Sequence, residues 1–181
     1  MIQELKIATS RVGVLIGKGG ATKKELESKT HTAISIDSKE GLVKVEGAEE
    51  NAIPLLRAVE IINAINAGFS PERAFEMIED EDLLLDILDL SRAADNPKQL
   101  DRLRGRIIGK DGKAREQIEN MTDVDLSVFG HTVALIGYPE QMKVARAAID
   151  MIIEGIPHEN VFAFLDKKKK EAKQDMISYY Y

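Results

Sequence analysis

The sequence predicts an α+β fold built twice: two tandem units, each a three-stranded antiparallel sheet with helices packed on one face. Three observations predict it. First, "VLIGKGGATKKELESKTHTAISI" (14–36) aligns with "RIIGKDGKAREQIENMTDVDLSV" (106–128) at a constant offset of 92 residues. Gly17 falls on Gly109, Lys18 on Lys110, Gly20 on Gly112, Leu26 on Ile118, Thr30 on Thr122, Ile34 on Leu126 and Ile36 on Val128. Second, the parallel continues with a slipped register: "VKVEG" (43–47) answers "VALIG" (133–137), and "GFSPERAF" (68–75) answers "GIPHENVF" (155–162). Third, alternating segments and helix-rich segments follow one another in the same order in both halves. Two copies of one unit account for 181 residues better than one large domain does.

Within the first copy, "ELKIA" (4–8) alternates as a strand does, and residues 10–16 leave room only for a short helix. The glycine motif follows. "ATKKELESKT" (21–30) is rich in helix formers, with Leu26 facing inward. "AISI" (33–36) and "LVKVEG" (42–47) alternate with period two, the pattern of strands with one buried face. Residues 49–67 form a helix rich in Ala, Ile and Leu, with Gly68 just past its end. In the second copy "LLLDILDLS" (83–91) is the first strand, although the spacing of Asp86 and Asp89 also fits a helix. Pro139 stands near the start of the long helix and Gly155 just past its end. The expected divisions are a first unit at 1–68, a helical, acidic linker at 69–82, a second unit at 83–155, and a C-terminal helix and tail at 156–181.

Composition removes several function classes. With 44% hydrophobic residues the chain can form a packed core, and with no cysteine it has neither disulfides, thiolate metal sites nor a cysteine nucleophile. No stretch approaches the about 18 apolar residues of a membrane span, and the first residues lack a signal-peptide core. A cytoplasmic protein without membrane association is expected. The net charge of −6 is unevenly placed. Residues 11–24 carry Arg11, Lys18, Lys23 and Lys24 and no acid, a local +4. Residues 102–115 carry six cations against Asp111, a local +5. Both basic peaks fall on the glycine motifs, where local field rather than net charge decides binding.

Glycines beside lysine suggest backbone lying close to phosphate. A Walker loop requires G-x-x-x-x-G-K-[ST]. Here Gly13 to Gly17 is one residue short, and Gly19 stands where a magnesium-binding hydroxyl should be. The second copy departs identically, with Gly105 to Gly109 short and Asp111 after the lysine. A dinucleotide fingerprint requires a third glycine where Thr22 stands. The shared element is [IL]-I-G-K-x-G between two helices. It resembles the KH domain, whose GXXG loop clamps about four nucleotides of a single strand. Only about 16 residues precede the first loop, which matches the type I order βααββα. The following helix begins at the loop, so its free amides would point at phosphate. Leu15, Ile16, Ile107 and Ile108 would form a groove wall, with Ile34, Ile36, Leu126 and Val128 as its floor. Aromatics are 5% of the chain, so ring stacking is not the main mode of base contact.

The segment "RLRGRIIGKDGKAREQIENMTDVDLSVFGHTVALIGYPEQMKVARAAIDMIIEGIPHENVFAFL" (102–165) resembles, more closely, the archaeal relatives of the eukaryotic small-subunit assembly factor called Partner of Nob, also similar to KRR-type processing factors. The resemblance implies a non-enzymatic protein that binds single-stranded RNA near the 3′ end of small-subunit precursor rRNA during ribosome assembly. The partners it implies are the endonuclease that trims that end and the alpha subunit of translation initiation factor two. In eukaryotic members the first loop is degenerate, whereas Gly17-Lys18-Gly19-Gly20 is intact here, as in an archaeal type. The residues expected at RNA are Arg11, Ile16, Gly17, Lys18, Gly19, Gly20, Lys23 and Lys24 in the first unit. Those expected in the second are Arg104, Arg106, Ile108, Gly109, Lys110, Asp111, Gly112, Lys113 and Arg115, with the Asp111 carboxylate facing solvent. The alternative is a protein-interaction scaffold in ribosome biogenesis or translation initiation with secondary RNA contact.

Other features carry less. His31, His131 and His158 are scattered, without a second ligand at metal spacing. "EDED" (79–82) lacks the spaced oxygens and glycine of a calcium loop and reads as a solvated linker or a docking patch for a basic partner. "KKKK" (167–170) either touches RNA or keeps the last helix soluble, and "SYYY" (178–181) is a frayed tail or an anchor. No serine, histidine and carboxylate set recurs between the copies. No catalytic site, metal or cofactor is expected.

Overall fold

The computed structural model describes residues 1–181, which form two compact units, Met1–Leu85 and Asp86–Tyr181. The first runs β1 (Ile2–Lys6), α1 (Thr9–Ile16), α2 (Ala21–Thr30), β2 (Ala33–Asp37), β3 (Leu42–Glu46), α3 (Ile53–Asn66) and α4 (Pro71–Glu79). The second runs β4 (Leu84–Asp89, its first two residues before the division), α5 (Pro97–Ile108), α6 (Lys113–Thr122), β5 (Asp125–Phe129), β6 (Thr132–Gly137), α7 (Pro139–Ile153) and α8 (His158–Tyr180). Each unit holds a three-stranded antiparallel sheet, in the orders β1-β3-β2 and β4-β6-β5. The last strand of each unit is therefore central, and β2 and β5 are edges. In the first sheet β3 is antiparallel to both neighbours, setting Val43 opposite Leu5 and Ile36, and Val45 opposite Gln3 and Ile34.

The alternation expected of β3 is realised: Val43 and Val45 are buried between exposed or half-exposed Leu42, Lys44 and Glu46. β6 differs, because "VALIG" contains no polar residue and Val133 through Gly137 are buried on both faces. The core of the first unit gathers Leu15, Leu26, Leu55, Ile61 and Ile65, and that of the second Ile107, Ile118, Leu135, Ile149 and Ile152.

The segment 84–89 is a strand, so β-pairing with β6 overrides its partly helical spacing. The long helix α3 starts at Ile53 rather than at 49. Pro54 lies in its first turn, where a missing amide costs nothing, and the Asn51 side chain accepts the Ile53 amide at 3.1 Å. Both α3 and α7 end in the same six-residue closure. Gly68 (φ 106°) and Gly155 (φ 90°) take the left-handed position. Phe69 N donates to Ala64 O, and Ile156 N to Met151 O.

The segment assigned to a linker belongs to the first unit. α4 packs on α3 and α2 and buries Ala74, Phe75 and Met77, with Ser70 capping its first turn. The C-terminal helix likewise belongs to the second unit, since the first half of α8 packs on α6 and α7 through Val161 and Leu165. No helix is long and apolar enough to cross a membrane.

Candidate nucleic-acid interface

Each glycine motif links two helices by one tight 3₁₀ turn, and the two turns superpose angle by angle. Gly17 (φ 74°, ψ 175°) matches Gly109 (φ 74°, ψ 178°). Gly19 (φ 61°, ψ 22°) matches Asp111 (φ 55°, ψ 28°), and Gly20 (φ 76°, ψ 13°) matches Gly112 (φ 73°, ψ 11°). The first glycine is sterically required. A Cβ at Gly17 would meet the Thr22 side chain and lie 2.8 Å from the Thr22 amide nitrogen, and one at Gly109 would lie 2.8 Å from that of Ala114. The middle position is left-handed but open, which is why an aspartate fits at 111 where the first copy has glycine. The Asp111 side chain is exposed.

No side chain caps the start of α2 or α6. Both helices therefore present a positive end toward the loop with its amides not claimed by a capping carboxylate or hydroxyl. Lys18, Lys24, Lys110, Lys113 and Arg115 stand exposed around these ends. Lys23 turns back instead to Glu27 at 3.3 Å, and Arg104 pairs loosely with Asp101 at 3.7 Å.

Two expected phosphate cations are engaged elsewhere. Arg11 donates through Nε to Ile65 O (2.8 Å) and through a terminal nitrogen to Phe69 O (2.9 Å). Arg106 donates to Ile152 O (2.8 Å) and Ile156 O (2.7 Å). These are the equivalent carbonyls at the ends of α3 and α7, where a cation is also favoured by the helix dipole. Burial lowers the Arg11 pKa, and the guanidinium remains charged. The two arginines do not align in the repeat, because Arg106 falls on Val14 and Arg11 lies three residues earlier, nearly one turn. Arg106→Met is expected to lower stability by roughly 2–3 kcal/mol, since two carbonyls lose a charged donor. A urea midpoint measures this. A variant with an unchanged midpoint but a weakened salt dependence of RNA binding would return Arg106 to the phosphate set.

The residues expected to form the groove are also divided by burial. Leu15, Ile107, Ile34 and Leu126 are core residues, each no more than 4% exposed. Ile16 and Ile36, and Ile108 and Val128, are half-exposed and so are the expected members open to a ligand. Sequence reasoning missed Glu27 and Glu119, although they are identical at the offset of 92. Each carboxylate accepts an amide of the edge strand at 2.8 Å: Ile34 N for Glu27, Leu126 N for Glu119. The amides at 34 and 126 thus point off the sheet edge. By the period of two, so do the main-chain polar groups of Ile36 and Val128. In the second unit the His158 imidazole Nε2–H donates to the Arg106 carbonyl at 2.6 Å, holding the last turn of α5 just before the loop.

A cavity of about 290 Å³ lies between α2 and α4. Lys29 is among its lining residues, 3.2 Å from Glu25 and 3.1 Å from Glu79, and these two carboxylates, Glu79 first, raise its pKa. No group of three metal-ligating side chains occurs in the chain.

Residues 84–170 match the family described as eukaryotic type KH-domain (KH-domain type I), and residues 2–64 match the KH domain family. A KH domain-containing protein of Methanocaldococcus jannaschii is 38% identical over 96% of this chain and 76% of its own length. The RNA-binding protein pno1 of Dictyostelium discoideum is 29% identical over 68% of this chain, which spans only 52% of that protein. Among solved structures, Dim2p from Pyrococcus horikoshii superposes with a TM-score of 0.85 at 41% identity, covering 92% of this chain and 99% of that one. The same organism's a/eIF2alpha–aDim2p–rRNA complex contains a chain with a TM-score of 0.88 at 42% identity, covering 94% and 95%.

Proposed function

Because the chain belongs to the PNO1/Dim2 family of tandem KH-domain proteins, we propose that it is a non-enzymatic single-stranded RNA-binding protein that seats the 3′ region of small-subunit rRNA, or its precursor, during ribosome assembly. The observation that carries this reading is the pair of matching loops, each opening an uncapped helix beneath an exposed lysine. Phosphates approach the glycines of Gly17–Gly20 and Gly109–Gly112, where no Cβ intervenes at either end of the turn. Lys18, Lys24, Lys110, Lys113 and Arg115 neutralise them. Bases lie on Ile16 and Ile36, or on Ile108 and Val128, and the edge-strand main chain at 36 and 128 reads their hydrogen-bonding edges. Gly19 and Asp111 shape the loops, and neither supplies charge to the phosphate.

Support for the RNA's identity comes from the relatives. The archaeal one forms a complex with rRNA and a/eIF2alpha, and the Aspergillus fumigatus one is a pre-rRNA-processing protein. By the same analogy the alpha subunit of initiation factor two is the protein partner, and the nuclease that trims the rRNA 3′ end acts beside it. Crosslinking in cells, followed by sequencing of the bound fragments, is expected to concentrate reads at the small-subunit rRNA 3′ region. Reads spread over messenger RNA, with none at that end, would sink the ribosomal part of the proposal.

A further inference from the structure

The projecting half of α8 is a patterned surface that the two loops do not use. Its packed stripe carries Val161 and Leu165, both fully buried. Residues three and four apart share a helix face, so the same stripe continues as Lys169, Ala172, Lys173, Met176 and Tyr180. Beyond Leu165 every residue but half-covered Lys168 is exposed. The fifteen residues from there to Tyr180 extend about 22 Å at 1.5 Å per residue. A helix of that length is marginal in water on its own. Its far end is apolar and aromatic without being covered, with Met176 64% exposed, Tyr179 86% and Tyr180 75%. Lys168 and Lys170 pair with Glu171 and Asp166 on the same helix, while Lys169 and Lys173 stand exposed on the stripe and Lys167 lies on the opposite face. Three of the four tyrosines of the chain are residues 179–181, whereas the groove lining named above carries no ring.

We propose that this arm is a third contact for single-stranded RNA, in which Lys169 and Lys173 follow the phosphates along the stripe and Tyr180, with Tyr179 beside it, stacks on bases. The lysines select a polyanion, and the ring faces that the edge-to-face Tyr179–Tyr180 pair (centroids 5.5 Å apart) leaves open select bases that are not already paired. Cationic tracks joined to aromatic platforms are how proteins hold single strands without reading sequence. The arm therefore supplies the stacking that the aromatic-poor grooves lack. The inference rests on the RNA-binding reading of the loops and extends it. Each KH unit covers about four nucleotides, so the arm adds affinity only for strands longer than the two units can cover.

The test uses the full chain and labelled single-stranded RNA of about 8 and about 24 nucleotides. One variant carries Lys169→Gln and Lys173→Gln, and another Tyr179→Ser, Tyr180→Ser and Tyr181→Ser. Each is expected to bind the long strand roughly five- to tenfold more weakly and the short strand as before, which also shows the fold intact. The lysine variant should lower the long strand's salt slope by about 1.4. The chain has no tryptophan, so quenching of tyrosine emission by the long strand reads stacking directly. Wild-type affinity of both variants for the long strand, or equal weakening for both strands, overturns the arm contact. If Lys18→Asp with Lys110→Asp leaves the short strand's affinity unchanged, the loop reading is the one that fails.

Discussion

Gly109→Ala is expected to destabilise the second unit by about 3 kcal/mol or more. Two costs add there. The backbone at φ 74°, ψ 178° lies in a region that residues with a Cβ almost never enter. The new methyl would also press on the Ala114 methyl and amide, the latter at 2.8 Å. Gly17→Ala should act alike, against Thr22. The contrast is Gly105→Ala, one turn earlier inside α5, where a Cβ meets nothing within 4 Å. There, replacing a helical glycine should stabilise by up to about 1 kcal/mol. Urea denaturation followed by circular dichroism separates the two, and equal midpoints for both variants would refute this account of the loop. If RNA backbone passes over Gly105, as its exposure permits, the stabilised variant will also bind more weakly.

Lys110→Asp is expected to reduce single-stranded RNA affinity about 10- to 100-fold while moving stability by no more than about 0.5 kcal/mol, since the side chain is exposed. Loss of one phosphate contact lowers the slope of log affinity against log salt by about 0.7, and repulsion from the new carboxylate adds to the loss. Lys18→Asp asks the same of the first loop. Gly19→Asp alone should do little, because it only recreates the Lys-Asp pair that the second loop already has. Unchanged affinity in Lys110→Asp would remove the second loop from the binding site. A loss confined to that variant would make the second loop the sole grip.

The sequence made the loops legible because the repeat turned two near misses of a nucleotide motif into one shared spacing. The order of elements followed from alternation, glycine and proline placement. Side-chain destinations did not follow. Arg11 and Arg106 sit among loop cations in sequence, yet their acceptors are 54 to 58 and 46 to 50 residues away, at helix ends that only tertiary packing brings near. Leu15 and Ile107 flank the loops but face the core, because a helical period identifies a common face without saying what covers it. Glu27 and Glu119 were visible as identical residues at the repeat offset. Their role as acceptors for an edge amide depends on where β2 and β5 end up lying.

The arginine that closes the long helix comes from different rungs of the preceding helix in the two units, and this decides where the chain can be cut and rejoined. A graft of the whole first helix–loop–helix, residues 9–30, would carry Arg11 with it. A graft of Gly13–Gly20 in place of Gly105–Gly112 would put Val14 where Arg106 stands and strip Ile152 and Ile156 of their donor, while transferring a loop of the same shape. The transplantable piece is thus longer than the motif that names it, and anyone exchanging RNA specificities between such units should move the helix along with the loop.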